Sequence, residues 1–187
     1  MDNDYLTAVK KGMKLLASHP KTLFVGQAMC YPGHAITGQV KDFPKNQLVE
    51  FPVAEEMQTG FCLGLAMEGY IPVCIYPRCN FAILAANQIV NHIDKWKEMG
   101  CGDVHIIIKM VVGAEIPLDP GHQHKANYVE AFKSMCDNIE IVDYTRNNPQ
   151  MRKSCRSLAI DDCYKRMIEV PGRYLVVEDA VLYDEKT

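Results

Sequence analysis

Short apolar runs alternate with amphipathic stretches along the whole chain. Residues 27–47 and 113–125 contain the proline and glycine expected of loops, and the first of these has room for one short helix. The apolar runs have the length of β-strands and predict strands over residues 22–26, 48–52, 71–76, 104–112, 139–144 and 173–178. The stretches between them predict helices over residues 5–17, 55–68, 81–99, 127–136 and 149–167.

This alternation of strands and helices indicates the α/β class. It predicts a three-layer, doubly wound, mostly parallel sheet of about six strands with helices on both faces. The run over residues 104–112 is apolar almost throughout, as expected for a parallel strand that is covered on both faces. Because no repeat, low-complexity tract or linker interrupts the pattern, we expect residues 1–187 to form one domain.

Composition narrows the classes of function. The formal net charge of −3 leaves no basic footprint for nucleic acid, so we expect no nucleic-acid partner. No apolar run approaches the roughly 20 residues that span a bilayer, and we expect no membrane association. The acidic start of the chain lacks the regions of a signal peptide, which predicts a cytoplasmic protein.

Eight cysteines are spread along the chain, and none form a Cys-x-x-Cys pair. Most lie inside apolar stretches, which favours reduced, buried thiols over a disulfide framework or a zinc site. The cysteines are Cys30, Cys62, Cys74, Cys79, Cys101, Cys136, Cys155 and Cys163.

Two adjacent carboxylates, Glu55 and Glu56, follow the predicted strand over residues 48–52 and begin the next helix. The carboxyl ends of strands are where open α/β sheets build their sites, so this position is a candidate site. A solvated glutamate in the first turn of a helix, favoured by the helix dipole, fits the same pattern. The local pattern alone therefore leaves both interpretations open.

Several further motifs stand in a fixed order around these carboxylates. They are Glu50-Phe-Pro-Val-Ala-Glu55, Gly64-Leu-Ala-Met-Glu-Gly-Tyr-Ile-Pro72, Phe81 through Gln88-Ile-Val-Asn91, and Gly121-His-Gln-His124. In order and spacing, the chain resembles the pyrimidine-binding domain of thiamine-diphosphate enzymes over nearly its whole length. It is most similar to the beta subunit of 2-oxo acid dehydrogenases and to the middle domain of transketolase.

The resemblance implies roles for three residues. Glu55 matches the carboxylate that hydrogen-bonds a ring nitrogen of the cofactor's aminopyrimidine and promotes its imino tautomer. Phe81 matches the aromatic residue that packs against that ring, although an ordinary core aromatic would look the same in sequence. His124 matches a histidine on the substrate side that acts as acid or base or binds an anion, although a solvated loop histidine fits equally.

Other features depart from the family pattern or fit no site. Gln27 replaces a common acidic residue, and Pro77 replaces a larger side chain beside the cofactor. Residues 113–120 replace a glycine-rich loop of the dehydrogenases, which puts their substrate chemistry in doubt. His122 and His124 form a His-x-His pair, but no further ligand has suitable spacing, so we expect no metal site in this chain.

A complete site in this family also needs a Gly-Asp-Gly…Asn signature that holds magnesium, and Gly100-Cys-Gly-Asp103 contains only a fragment of it. The resemblance therefore implies a separate diphosphate-binding subunit that holds magnesium, in an α2β2 assembly around thiamine diphosphate. We expect a decarboxylase or carboligase acting on a 2-oxo acid, and the isolated chain is expected to be inactive.

Three alternatives remain open at this point. One is transketolase-like ketol transfer on a ketose phosphate, and another is a non-catalytic scaffold with the same fold. The third is an unrelated flavodoxin-like domain, for which residues 25–30 make a poor phosphate-binding loop.

Overall fold

All six predicted strands pair into one sheet, in which every strand runs parallel to its neighbours. The computed structural model describes residues 4–31, 36–113, 119–149 and 156–183. Across the sheet the strands lie in the order β2-β1-β3-β4-β6-β5. Their bounds are β1 Thr22–Gly26, β2 Leu48–Glu50, β3 Ile71–Tyr76, β4 Ile106–Val112, β5 Glu140–Asp143 and β6 Arg173–Asp179. The predicted α/β class and the parallel sheet are confirmed.

Helices cover both faces of this sheet. One face packs against α1 and α5 together with the short α2, and the other packs against α3, α4 and the segment of residues 79–93. The helix bounds are α1 Asp4–Ala17, α2 Thr37–Val40, α3 Glu55–Met67, α4 Val129–Met135 and α5 Arg156–Glu169. Residues 150–155 of the helix predicted over 149–167, and residues 114–118 of the loop predicted over 113–125, lie outside the described residues.

The strand order reverses between β1 and β3, and this reversal positions the candidate site. The chain leaves β1 toward β2 through α2, on one face of the sheet, and returns from β2 to β3 through α3, on the other face. The connections on either side of the reversal diverge and leave a crevice at the carboxyl ends of the strands. At this edge, Gln27 directly follows β1 and Pro77 directly follows β3, and Glu55 lies five residues after the end of β2.

Residues 81–99 do not form the single long α-helix that their apolar spacing predicts. A 3-10 helix spans Cys79–Ile83, a π-helix spans Gln88–Ile93, and turns follow. The end of the π-helix is tied to another part of the chain, because the Asp94 carboxylate accepts hydrogen bonds from the backbone N–H groups of Asn138 and Ile139 at 2.7 and 3.0 Å. Ile89 and Ile93 remain buried in the wider helix, so the apolar stripe is satisfied without α-helical geometry.

Two further features of the structure concern the cysteines and the lengths of the helices. The seven cysteines within the described residues are free, and Cys62, Cys74, Cys79 and Cys136 are buried among apolar side chains. Cys155 lies outside the described residues. Across those residues, every helix is too short or too polar to cross a bilayer.

A buried ion pair lies within the face covered by α1 and α5. Lys109 on β4 is 1 % exposed, and its Nζ donates to Glu178 Oε2 at 2.7 Å and to Gln39 Oε1 at 2.9 Å. Tyr164 and Tyr183 donate their hydroxyls to the same Glu178 carboxylate. Burial lowers the pKa of Lys109, and the Glu178 charge opposes that shift. The cluster joins β4, β6, α2 and α5.

We expect Lys109→Met to lower the free energy of unfolding by about 3–5 kcal/mol, because it leaves the Glu178 carboxylate buried without its counter-charge. The double variant Lys109→Met/Glu178→Gln should lose much less, since a glutamine still bonds with both tyrosine hydroxyls. Urea unfolding followed by circular dichroism measures the free energy of unfolding of the single and the double variant. A loss below about 1 kcal/mol in the single variant would show that the pair does not hold these elements together.

Candidate active site

Glu55 is the first residue of α3, and its side chain is buried although the surrounding surface is open. Only 4 % of Glu55 is exposed, whereas the adjacent Glu56 is exposed and accepts a hydrogen bond from Asn87 Nδ2 at 3.2 Å. Carboxylates are seldom buried without a specific partner. The two neighbouring glutamates are therefore in different environments: Glu55 is buried and Glu56 is solvated.

The first turn of α3 is held by side chains of the helix itself and by Tyr76 of β3. The Glu55 carbonyl oxygen accepts hydrogen bonds from Thr59 Oγ1 at 2.8 Å and from the Tyr76 hydroxyl at 3.2 Å. Burial raises the pKa of Tyr76, which keeps this hydroxyl a donor. Gln58 adds a hydrogen bond from its Nε2 to the Ile75 carbonyl at 3.1 Å. These contacts hold the helix start, and with it the Glu55 side chain, against the end of β3.

Gln27 reaches Glu55 from the end of β1. Its Nε2 lies 3.4 Å from Glu55 Oε1, a long hydrogen bond from a neutral donor to the carboxylate. Among the described residues, Gln27 alone donates to this carboxylate, so acceptor capacity remains at its second oxygen. The amide that departs from the family pattern in sequence thus lies beside the candidate cofactor-binding residue.

An open cleft of about 740 Å³ lies in front of Glu55. Its walls are largely apolar with a few polar groups, the composition expected of a small-molecule site. The described residues that line it are Ala54, Glu55, Glu56, Met57, Gly60, Phe61, Leu84 and Gln88.

Phe81 and His124 pack against each other at the ends of β3 and β4. Their ring centroids lie 5.4 Å apart with the rings tilted edge to face. His124 Nδ1 lies within hydrogen-bonding distance of Asn80 Oδ1, at 3.2 Å. The sequence reasoning did not identify Asn80, whose spacing from His124 is visible only in the fold.

The predicted site residues therefore fall into two groups along one edge of the sheet. Glu55 and Gln27 form one group, and Phe81 and His124 form the other; Phe81 and His124 are not among the described residues that line the Glu55 cleft. Leu84 and Gln88, which follow Phe81 in the chain, complete the cleft wall. His122 is exposed, and the described residues contain no group of three His, Cys, Asp or Glu side chains that would hold a metal ion.

Gly113 allows residues 122–124 to lie very close to the end of β4. A Cβ atom added at Gly113 would lie 2.3 Å from the His124 carbonyl oxygen, far inside van der Waals contact. Only glycine permits the backbone at the end of β4 to pass so close to residues 122–124. The position of the His124 ring on Phe81 depends on this contact.

Several apolar residues of the cleft lining, and others next to them in the chain, are exposed. Val53 and Leu84 are 78 % and 63 % exposed, and Met57, Phe61 and Ile83 are also exposed. On α3, Gly60 and Gly64 lie one turn apart, and a Cβ at Gly64 would meet no described atom within 4 Å. A rim of exposed apolar residues and small residues is typical of a surface that binds another protein. We call these seven residues the cleft rim.

Comparison with known proteins defines the class. The fold is a doubly wound α/β sheet with the candidate site at its strand ends, and the model of the family "transketolase, pyrimidine binding domain" matches residues 4–153. The chain belongs to this family, whose members generally bind thiamine diphosphate. The resemblance inferred from the motifs is confirmed, and an unrelated flavodoxin-like domain is excluded.

Curated relatives are beta subunits of dehydrogenases. The chain is 32 % identical over 171 residues to the pyruvate dehydrogenase E1 component subunit beta of Chaetomium thermophilum, covering 90 % of this chain and 42 % of the relative. It is 24 % identical over 133 residues to the 3-methyl-2-oxobutanoate dehydrogenase subunit beta of Mycobacterium tuberculosis, covering 68 % of this chain and 37 % of the relative. The chain thus spans about two fifths of the length of these relatives.

A solved structure confirms the fold. The chain titled "Split gene transketolase, inactive beta4 tetramer" superposes with a TM-score of 0.63 at 17 % identity, covering 95 % of this chain and 50 % of the other. At that identity the likeness establishes the fold alone.

We expect Gly113→Ala to displace residues 122–124 and to separate the His124 ring from Phe81, because the added methyl group overlaps the His124 carbonyl oxygen. The ring-proton resonances of His124 should shift in NMR spectra, and the free energy of unfolding should fall by about 1–3 kcal/mol. Gly38→Ala is the matched control, since a Cβ there meets no described atom within 4 Å. Unchanged His124 resonances in Gly113→Ala would rule out this role for Gly113.

Proposed function

We propose that this chain is the pyrimidine-binding subunit of a split thiamine-diphosphate-dependent enzyme of the 2-oxo acid decarboxylase or carboligase type. The observation that carries the proposal is the Glu55 carboxylate, 4 % exposed at the start of α3 and on the wall of an open cleft. A buried carboxylate with unused acceptor capacity fits a ring nitrogen that carries a proton. The family membership supplies the ligand class.

Glu55, on the wall of the open cleft, and Gln27 beside it fit the pyrimidine end of thiamine diphosphate. When bound, this cofactor supplies the reactive ring carbon and the electron sink that bond cleavage or formation next to a carbonyl requires. In the proposal, Glu55 holds a proton at the pyrimidine nitrogen that faces it, and Gln27 holds one Glu55 oxygen in place. In the same proposal, Phe81 packs against the pyrimidine ring, and His124 acts on the substrate side as an acid or base or binds an anionic group of the substrate.

A 2-oxo acid is the proposed substrate class. The names of the two dehydrogenase relatives specify pyruvate and 3-methyl-2-oxobutanoate, and both are 2-oxo acids. Ketol transfer of the transketolase type remains the second candidate, because the matching family model is described by that name. The two reactions differ in whether they need a second substrate. A ketol transferase needs a second sugar to accept the transferred group, whereas a decarboxylase releases carbon dioxide from the 2-oxo acid alone.

A separate diphosphate-binding subunit completes the proposed site, holds magnesium, and assembles with this chain as α2β2. The cleft rim supports a second subunit, because exposed apolar residues beside the cleft are suited to contact with a chain that would cover the cofactor. The relatives also support it, because their names describe beta subunits. In this proposal the cofactor lies between the two chains, and each chain provides half of the groups that hold it.

We expect Glu55→Gln and Glu55→Ala to reduce turnover of the assembled enzyme by a factor of about 10³ or more, because neither side chain stabilises the added proton on the pyrimidine. Assembly, followed by size-exclusion chromatography, should be unchanged, because the side chain is buried inside the cleft. Glu130→Gln is the control, since Glu130 makes a surface pair with Lys133 on α4.

Two outcomes would contradict this proposal. Turnover that persists in both Glu55 variants would favour the non-catalytic scaffold. Decarboxylation of a 2-oxo acid at enzymatic rates by the isolated chain, with added thiamine diphosphate and magnesium, would disprove the split site.

We expect Gly64→Leu to prevent assembly with the diphosphate-binding subunit, because a bulky side chain on the cleft rim would hold the partner away from α3. The variant should still fold, since a Cβ at Gly64 meets no described atom within 4 Å. Ala159→Leu places the same side chain at an exposed position on α5, on the opposite face of the sheet, and should assemble normally. Analytical ultracentrifugation of the mixed subunits measures both. Normal assembly of Gly64→Leu would remove α3 from the proposed interface.

A further inference from the structure

The turn after β1 contains an alanine in a conformation that alanine disfavours. Ala28 has a φ of 54°, and it is the only non-glycine residue with positive φ in the described parts of the chain. The left-handed region costs an L-residue about 1–2 kcal/mol, and alanine has no polar side chain to offset that cost locally. Surrounding contacts must therefore hold this turn in place.

Two side chains hold the peptide groups on either side of Ala28. The Glu50 carboxylate accepts hydrogen bonds from the Ala28 N–H at 2.7 Å and from the Cys30 N–H at 2.8 Å, one on each oxygen. Thr37 Oγ1 donates to the Ala28 carbonyl oxygen at 3.0 Å. Hydrogen bonds from N–H groups to a charged carboxylate are about twice as strong as those between neutral groups, so Glu50 provides the stronger restraint.

Strand pairing brings Glu50 to this turn. Glu50 ends β2 directly beside Gly26, the last residue of β1, and the Phe51 N–H continues the pairing with a hydrogen bond of 2.9 Å to the Gly26 carbonyl. A Cβ at Gly26 would lie 2.8 Å from the Ile75 carbonyl oxygen, so β1 and β3 are also in close contact here. The carboxylate thus reaches the turn from a rigid strand end.

The restrained turn begins one residue after Gln27, the residue that donates to Glu55. We propose that Glu50 is a positioning residue: by holding Ala28 in the left-handed conformation, it keeps the Gln27 amide against the Glu55 carboxylate. Its catalytic consequence rests on the proposed function, whereas its effect on Gln27 does not. Glu50 is not among the described residues that line the cleft, and its hydrogen bonds go to the turn, at Ala28 and Cys30.

The isolated chain tests the geometric part. In ¹⁵N-labelled protein, Glu50→Gln and Glu50→Ala should shift the side-chain amide resonances of Gln27 as well as the backbone resonances of Ala28 and Cys30. Adding Ala28→Gly to Glu50→Ala should return the Gln27 resonances toward their wild-type positions, because glycine adopts positive φ without the steric cost. Glu130→Gln, which also removes a surface carboxylate, should leave all of them unchanged.

The assembled enzyme tests the functional part. Glu50→Ala should lower kcat by about 10- to 100-fold with little change in KM for the 2-oxo acid, because a displaced Gln27 disturbs Glu55 and leaves the substrate groups in place. The Ala28→Gly addition should recover most of the loss. The Gln27 amide resonances distinguish this role from a merely structural one, because a general loss of stability would not displace Gln27 in the folded protein.

The outcomes separate the two claims. Unchanged Gln27 resonances in both Glu50 variants would overturn the positioning role, whatever the turnover. Shifted resonances together with full turnover in the Glu55 variants would overturn the proposed function and leave the geometric role intact. If Glu50→Ala does not fold, Glu50→Gln decides alone, since it keeps the side-chain size and removes one acceptor oxygen.

Discussion

Burial of the Glu55 carboxylate is the constraint on which the rest of the site depends. A carboxylate loses its hydration when it is buried, and the protein must replace that hydration with directed contacts. Here the replacement is incomplete: Gln27 donates one long hydrogen bond, and the helix start is fixed through the Glu55 backbone rather than through its carboxylate. Such a group is positioned rigidly but remains able to accept a bond from a ligand, which is the combination a cofactor-binding carboxylate needs.

Restraint of the site extends to the opposite face of the sheet. The buried Lys109 donates to Gln39 on α2, and Thr37 on the same short helix donates to the Ala28 carbonyl. The buried ion pair therefore anchors the helix that helps to hold the turn beside Gln27. The polar cluster around Lys109, in the core under α1 and α5, is thus linked to the Glu55 carboxylate on the other face of the sheet. The link runs through the short helix α2 and the end of β1.

Most of the sheet was predictable from sequence because fully buried strands leave a continuous apolar run. β1 and β3 begin and end where the pattern predicts, and both are interior strands. The prediction extended too far for the two edge strands, β2 and β5, where only one neighbour provides hydrogen bonds to prolong the ladder. It also began the interior strand β4 two residues early, at 104 instead of Ile106. The prediction of one α-helix over residues 81–99 was wrong, because apolar spacing does not distinguish α-helical turns from 3-10 and π turns.

The site was predictable only in part, for reasons of geometry. Glu55 and its difference from Glu56 followed from the motif order, and Gln27 was noticed as a departure from the family pattern. The role of Glu50 was not visible, because it depends on the register of β1 with β2 and on a positive φ at Ala28, where sequence would have favoured glycine. The Asn80 contact of His124 likewise depends on two loops that are far apart in the chain.

In the proposed enzyme, Glu55 binds the pyrimidine end of thiamine diphosphate in an assembly with a second subunit. The most direct measurement is a crystal or cryo-EM structure of this chain, co-purified with a chain that carries the Gly-Asp-Gly…Asn signature, in the presence of thiamine diphosphate and magnesium. We expect a Glu55 carboxylate oxygen to lie within hydrogen-bonding distance of a pyrimidine ring nitrogen, at the interface of the two chains. A cofactor bound away from Glu55, or held entirely within one chain, would contradict it.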